Sequence, residues 1–248
     1  VRSRSSRRRK RSWYVIWSLI FFFFAASLLA LLISLPIWQI QKIEVQGVRL
    51  LSGDEIQRLA GIPLMENIFL VRFGGARGHL EGIPVIQRVD FLRRLPDTLI
   101  INVTERREVA VAVLGNDSVL IDDEGVILNR FPVYIKFPDI SGLPVIYGLR
   151  EDWIEGYKLR GHIGEEMIAL LKELKNFISP TKLQIDVSNL EEMGLRVDDT
   201  LQVKLGAARQ IAEKIGAFEI LFNKVKDRKL SIEYIDVRYP QFPVIRFK

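Results

Sequence analysis

Apolar and polar positions divide the chain into three regimes. From Trp13 to Leu35 the run WYVIWSLIFFFFAASLLALLISL is apolar on every side, with only Tyr14, Ser18, Ser27 and Ser34 as polar side chains. About 20 such residues cross a bilayer core, so the run predicts one membrane-spanning helix. Alternation then takes over. In IQKIEVQG (40–47), Ile43 and Val45 share one side and Lys42, Glu44 and Gln46 the other, the pattern of a half-buried strand. Ser52 and Glu55 stand at capping-box spacing before a helix that carries Ile56 and Leu59 and stops at Gly61-Ile62-Pro63. A weaker helix over 71–80 is interrupted by Gly74, Gly75 and Gly78. Two alternating strands follow, 85–95 and 98–114, joined by the turn pair Pro96-Asp97. The order is β-α-α-β-β.

The third regime mixes short strands with two amphipathic helices. VLIDDEGVILN (119–129) reads as two strand halves around a turn at Asp122–Gly125. A segment rich in Pro and Gly runs from Pro132 to about residue 160 and is too long for a simple connector. Ile163, Met167, Leu170, Leu174 and Phe177 then recur at helical spacing until Pro180. Three short strands, KLQIDVS, MGLRVD and LQVKLG, precede a second helical stripe of Ala208, Ile211, Ile215, Phe218, Phe222 and Val225. Two strands, Tyr234–Arg238 and Val244–Phe247, close the chain around Pro240 and Pro243. The fold class is α+β: a transmembrane helix, a β-α-α-β-β module, and a strand-rich domain with helices packed on one face.

Charge sharpens this picture. Residues 1–12 hold seven Lys or Arg and no acid, whereas the other 29 basic residues face all 30 acids. The formal charge of +6 therefore belongs to a tail. A nearly neutral folded part excludes nucleic-acid binding as the leading function. Arg7, Arg8, Arg9, Lys10 and Arg11 are the membrane-orienting cluster: basic residues flanking a span keep that side cytoplasmic. With Trp13, Tyr14 and Trp17 at one end and Trp38 at the other, the span has an aromatic belt. It is too long for a signal-peptide core and lacks a small-residue cleavage pattern, so an uncleaved anchor is expected. The topology is then single-pass type II, with residues 1–12 cytoplasmic, 13–35 in the membrane and the rest outside.

Catalytic patterns are sparse. Absence of cysteine excludes disulfides, thiol nucleophiles and Cys-based zinc sites. Asp122-Asp123-Glu124 sits between VLI and GVIL as a turn would. His79 and His162 are far apart in sequence and lack an i,i+4 partner. No GxSxG elbow occurs, and the glycines at 74–78 lack the Lys-Ser/Thr of a phosphate loop. Glu105-Arg106-Arg107-Glu108 reads most simply as solvated charge, with ion pairing as the alternative. No enzyme activity, cofactor, metal or small-molecule substrate is expected.

The order of parts resembles the FtsQ/DivIB family of bacterial cell-division proteins. The matching stretches are IEVQG, GIPLMENIF, RRLPDTLIINVTERREVAV, LIDDEGVIL, FPDISGLP, LGAARQIAEKI and YIDVRYPQFPVIRF. The resemblance covers essentially the whole chain, though the glycine-rich second helix departs from the usual pattern. It implies a POTRA domain over 40–106 and the family's β domain over 107–248. It further implies a non-catalytic scaffold in the inner (plasma) membrane at the division septum. Such a scaffold links early and late division proteins, binds FtsB-like and FtsL-like partners among other divisome components, and influences septal peptidoglycan synthesis. In the family an FtsB segment adds to the last strand. The matching positions here are Arg238, Tyr239, Gln241 and Phe242 at the turn, then Val244, Ile245, Arg246 and Phe247 on the edge. Residues alone leave open whether Tyr239 and Phe242 face outward or pack into the core. The alternative function is another POTRA-bearing, membrane-anchored assembly or translocation factor.

Overall fold

The computed structural model describes residues 5–132, 134–176, 182–225 and 232–248, with the side chains of 5–12 and 174–176 outside the description. The first helix, α1, runs Ser5–Ile33. Its apolar stretch Trp13–Ile33 has 21 residues and none of it is buried against protein. At 1.5 Å per residue that is about 31 Å, the thickness of a bilayer's hydrocarbon core. The helix stops just before Pro36, which opens the 3-10 turn Pro36–Trp38. Its last carbonyls, unpaired by helix geometry, find side-chain donors. Trp38 Nε1 donates to Leu32 O and Asn67 Nδ2 to Ile33 O, both at 2.7 Å.

The chain forms two compact units: Val1–Gln46, Gly53–His79 and Val89–Asn102 make the first, and Gly47–Ser52, Leu80–Arg88 and Val103–Lys248 the second. In the first, β1 (Lys42–Gln46) lies parallel to β3 (Thr98–Glu105), Lys42 opposite Thr98 and Gln46 opposite Asn102. The sheet is completed by β2 (Ile86–Arg94) in the order β1-β3-β2. Helix α2 (Gly53–Ala60) turns Ile56 and Ala60 inward, and α3 spans Gly74–Glu81. Ile40, Ile56, Ile68, Leu99 and Ile101 are fully buried.

The strand expected over 98–114 is two strands, because its charged middle is used for bonding. Strand pairing is interrupted at Arg106-Arg107, and β4 (Glu108–Leu114) joins a different sheet. Glu105 accepts the backbone N–H groups of Arg49, Leu50 and Leu51 at 2.7–2.9 Å. Arg49 in turn forks onto Glu108. Arg106 donates to Asp122 and Glu124, both at 2.8 Å. Arg106 and Glu108 are thus ion-paired and Glu105 accepts backbone N–H groups within the second unit, while Arg107 is exposed as solvated charge would be.

That unit is built on an eight-stranded sheet, in the order β13-β12-β11-β10-β9-β6-β4-β5. Its further strands are β5 (Asp117–Asp122), β6 (Val145–Tyr147), β9 (Leu183–Asp186), β10 (Met193–Val197), β11 (Leu201–Gly206), β12 (Ile232–Asp236) and β13 (Val244–Phe247), with β7 (Ile154–Glu155) and β8 (Lys158–Leu159) forming a separate hairpin. Pairs β4–β6, β6–β9 and β11–β12 are parallel. Helices α4 (Gly161–Asn176) and α5 (Ile211–Val225) contact each other and pack on the sheet. Met167, Leu170 and Leu171 of α4 and Ile211, Ile215 and Phe218 of α5 join the core. Phe177 and Pro180 lie outside the described residues. Ala208 precedes α5 instead of opening its stripe. The turn at Asp122–Gly125 forms as its sequence implied: Asp122 Oδ1 accepts the N–H groups of Glu124 and Val126.

Candidate functional site

The two outer strands of the large sheet differ. On the β5 side the chain covers its own edge. Leu128 N–H donates to Leu120 O, Asp122 N–H to Val126 O, and Asn129 Oδ1 accepts Leu120 N–H. On the β13 side, among the described residues, no strand pairs beyond β13. Its register against β12 sets Val244 opposite Asp236, Ile245 opposite Ile235 and Arg246 opposite Tyr234. Ile245 faces the buried Ile235 and packs on the core, which holds the strand in place. Val244 and Arg246 therefore point to the other face of the sheet by strand alternation, and both are exposed. Phe247 is exposed too.

The turn before β13 is closed by hydrogen bonds and an ion pair. Asp236 Oδ1 accepts Arg238 N–H at 3.1 Å, and its two oxygens hold the Arg238 guanidinium at 2.6–3.0 Å. The hydrogen bonds from Arg238 hold the Asp236 carboxyl below its ordinary value, and the same partnership raises Arg238. Phe242 N–H closes the turn onto Tyr239 O at 2.9 Å. Tyr239 and Phe242 point into solvent, 72% and 82% exposed. That answers the question left by the sequence: neither packs into the core. Gln241 is exposed beside them.

Next to the edge, Tyr234 lies between two cations. Lys204 Nζ is 4.1 Å from the ring centroid and the Arg246 guanidinium 5.9 Å. Arg246 also pairs with Glu233 at 2.9 Å. A shallow cleft of about 760 Å³ crosses the same face, lined among others by Tyr147, Asp186, Gly194, Arg196, Lys204 and Arg238.

Open main-chain groups next to exposed aromatic and aliphatic side chains are the ingredients of strand addition. The backbone gives the added strand hydrogen bonds, and side chains select it. All eight sequence-derived positions, Arg238, Tyr239, Gln241, Phe242, Val244, Ile245, Arg246 and Phe247, fall on this turn and strand. Arg7, Arg8, Arg9, Lys10 and Arg11 belong to α1, but their side chains lie outside the described residues. Among the described residues no group of three or more His, Cys, Asp or Glu side chains is placed to hold a metal ion. Sequence reasoning missed Asp236 as the brace of Arg238. The D-x-R spacing was the available signal, because an Asp accepts readily from the backbone two residues on.

Comparison with known proteins gives two family matches: the FtsQ-type POTRA domain over residues 39–106 and the FtsQ/DivIB C-terminal domain over 110–238. The cell division protein FtsQ of Koribacter versatilis is 28% identical over 202 residues, covering 79% of this chain and 57% of that protein. The cell division protein DivIB of Clostridium acetobutylicum is 26% identical over 227 residues, covering 88% and 86% respectively. The extracytoplasmic domain of DivIB from Geobacillus stearothermophilus aligns at a TM-score of 0.31 and 15% identity over 50% of this chain and 98% of that one, too low a score to bear on the fold.

Proposed function

The chain belongs to the FtsQ/DivIB family of cell-division proteins, and from that premise we propose that it is a non-catalytic scaffold of the division septum. Helix α1 anchors it in the plasma membrane with the basic tail in the cytoplasm. Residues 40–106 serve as its POTRA domain and 107–248 as its partner-binding β domain. The carrying observation is the asymmetry of the large sheet: β5 is covered by its own chain, while β13 offers an open edge beside exposed Tyr239 and Phe242. An FtsB-like segment adds to that edge, FtsL accompanies it, and the assembly bears on septal peptidoglycan synthesis. The match over 110–238 favours this reading over a POTRA-bearing translocation factor.

Tyr239 and Phe242 are the anchors to remove. Buried aromatic anchors at interfaces are worth about 2 kcal/mol or more each, so Tyr239→Ala alone weakens capture of the FtsB-like partner by about 30-fold, and Tyr239→Ala with Phe242→Ala, as the sum of the two losses, by about 1000-fold. Both side chains are solvent-exposed in the free chain, so its own stability stays unchanged. Titration of partner against the membrane-reconstituted protein measures this. Equal affinity of the double variant and the parent would refute the assignment.

A further inference from the structure

The loop between α2 and α3 carries an apolar surface that strand addition does not use. In the run Leu64-Met65-Glu66-Asn67-Ile68-Phe69-Leu70, Ile68 is fully buried, whereas Leu64, Met65, Phe69 and Leu70 are exposed, Met65 at 62% and Leu70 at 70%. Met65 adopts φ 68°, a left-handed conformation that a side-chain-bearing residue rarely takes. The surrounding hydrogen bonds hold it there.

Those bonds tie the loop to the exit of α1. Met65 N–H donates to Ile40 O, Ile40 N–H to Glu66 O and Ile68 N–H to Trp38 O, at 2.8–2.9 Å. Asn67 reaches Ile33 O itself, the last residue of the apolar span. Phe69 meets Trp38 edge-on, with ring centroids 5.2 Å apart. From the other side Arg93 donates to Ile68 O and Val71 O. The turn holding the exposed Leu95 lies at the same end, because Asp97 O accepts the N–H groups of Gln41 and Lys42. An exposed apolar rim thus surrounds the point where the chain leaves its span.

We propose that Leu64, Met65, Phe69 and Leu70 form a lipid-contact surface that seats the first unit on the extracytoplasmic face of the bilayer. The proposal rests on the reading of α1 as the anchor. Its occupant is the bilayer and not a protein, because the patch is continuous with the membrane span through Asn67 and Trp38. Trp, Phe and Leu side chains at that level bury into the headgroup–acyl boundary. Glu66, the loop's one acid, keeps the contact shallow.

The chain has no cysteine, so single cysteines can carry an environment-sensitive fluorophore without background. The full chain is labelled at Leu70→Cys, at Phe22→Cys within the span, or at Asp54→Cys. Asp54 lies at the start of α2, beyond the far end of β1. Each is reconstituted into phosphatidylcholine–phosphatidylglycerol vesicles carrying a shallow or a deep nitroxide lipid quencher. The Phe22 probe is quenched by the deep label and the Asp54 probe by neither. The Leu70 probe is quenched about two-fold by the shallow label, as fits the ~5–10 Å depth of an interfacial apolar face. A Leu70 probe as unquenched as Asp54, while Phe22 is quenched, overturns the proposal and leaves the anchor standing. An unquenched Phe22 probe overturns the anchor reading and this inference with it. Because the vesicles contain no other protein, a surface made for a partner would also leave Leu70 unquenched.

Discussion

Asp122 is the point where one substitution should do most local damage to the second unit. Its side chain is 2% exposed, with Oδ2 receiving Arg106 at 2.8 Å and Oδ1 receiving the Glu124 and Val126 N–H groups at 3.0 and 2.7 Å. Breaking a buried ion pair from one side costs about 3–5 kcal/mol. Here the Arg106 side chain is 18% exposed and keeps Glu124 as a partner, so ~2–3 kcal/mol is the better figure. Asp122→Ala also orphans the buried Val126 N–H, adding about 1–2 kcal/mol, while Glu124 N–H can turn to water. The total is about 4 kcal/mol. Asp122→Asn retains an acceptor at Oδ1 for the backbone N–H groups but sets an NH2 donor where Oδ2 accepted from Arg106, so it loses that charged hydrogen bond at a cost of about 2 kcal/mol. Because the chain has two units, one global unfolding energy is a poor measure. Amide hydrogen exchange at Leu128, whose N–H crosses to Leu120 O, reads the local opening. At about 1.4 kcal/mol per decade, exchange there rises almost three decades for Ala and between one and two for Asn. Equal effects of the two substitutions, or a rise under tenfold for both, would refute the reasoning.

Two further predictions concern stability. Gly148→Ala would place its Cβ 2.3 Å from Ser188 Oγ and 2.4 Å from Ser188 N, at φ +83°; backbone cannot move aside cheaply, so thermal unfolding followed by circular dichroism shifts down by several degrees, and an unshifted midpoint would contradict the packing of Gly148 on Ser188. Acid should weaken the second unit, because several carboxyls titrate below their ordinary values. Hydrogen bonding from Arg106 lowers Glu124; burial pushes Glu108 up, but the hydrogen bond from Arg49 outweighs it and lowers Glu108; Arg238 lowers Asp236. Their contribution is complete above the unfolded carboxylate range near pH ~4 and is lost as pH falls through the lowered folded values. A pH titration of thermal stability therefore falls steeply below about pH 4 and less steeply in Glu108→Gln; parallel curves would contradict the pairing with Arg49.

Periodicity made most of the architecture legible. The span, α2, α4, α5 and strands β9 to β13 announce themselves through apolar spacing, because each buries one continuous stripe or one side. Strand β6 did not: Val145–Tyr147 is three residues long inside a segment rich in Pro and Gly, too short for alternation to show. The break at Arg106-Arg107 was hidden as well. Thr98 to Leu114 alternates well enough to read as one strand, and only the distant partners Arg49 and Asp122 explain why the strand is interrupted there. At the candidate site, the open edge follows from a last strand beside two prolines. Which way Tyr239 and Phe242 point was not legible, since large aromatic side chains serve cores and interfaces equally. The surface at Leu64–Leu70 is not legible in the sequence, because its placement depends on hydrogen bonds to residues 33–40, which local sequence does not encode.

The central claim is that a partner adds a strand to β13. In an antiparallel edge strand alternate N–H groups already bond inward, and the others face outward. Amide hydrogen exchange of the full chain in vesicles, with and without the FtsB-like and FtsL-like partners, tests this residue by residue. Strand addition slows the outward amides of Val244–Phe247 by about tenfold or more and leaves the edge of β5 unchanged. A complex that forms while every amide of Val244–Phe247 exchanges as before would contradict it.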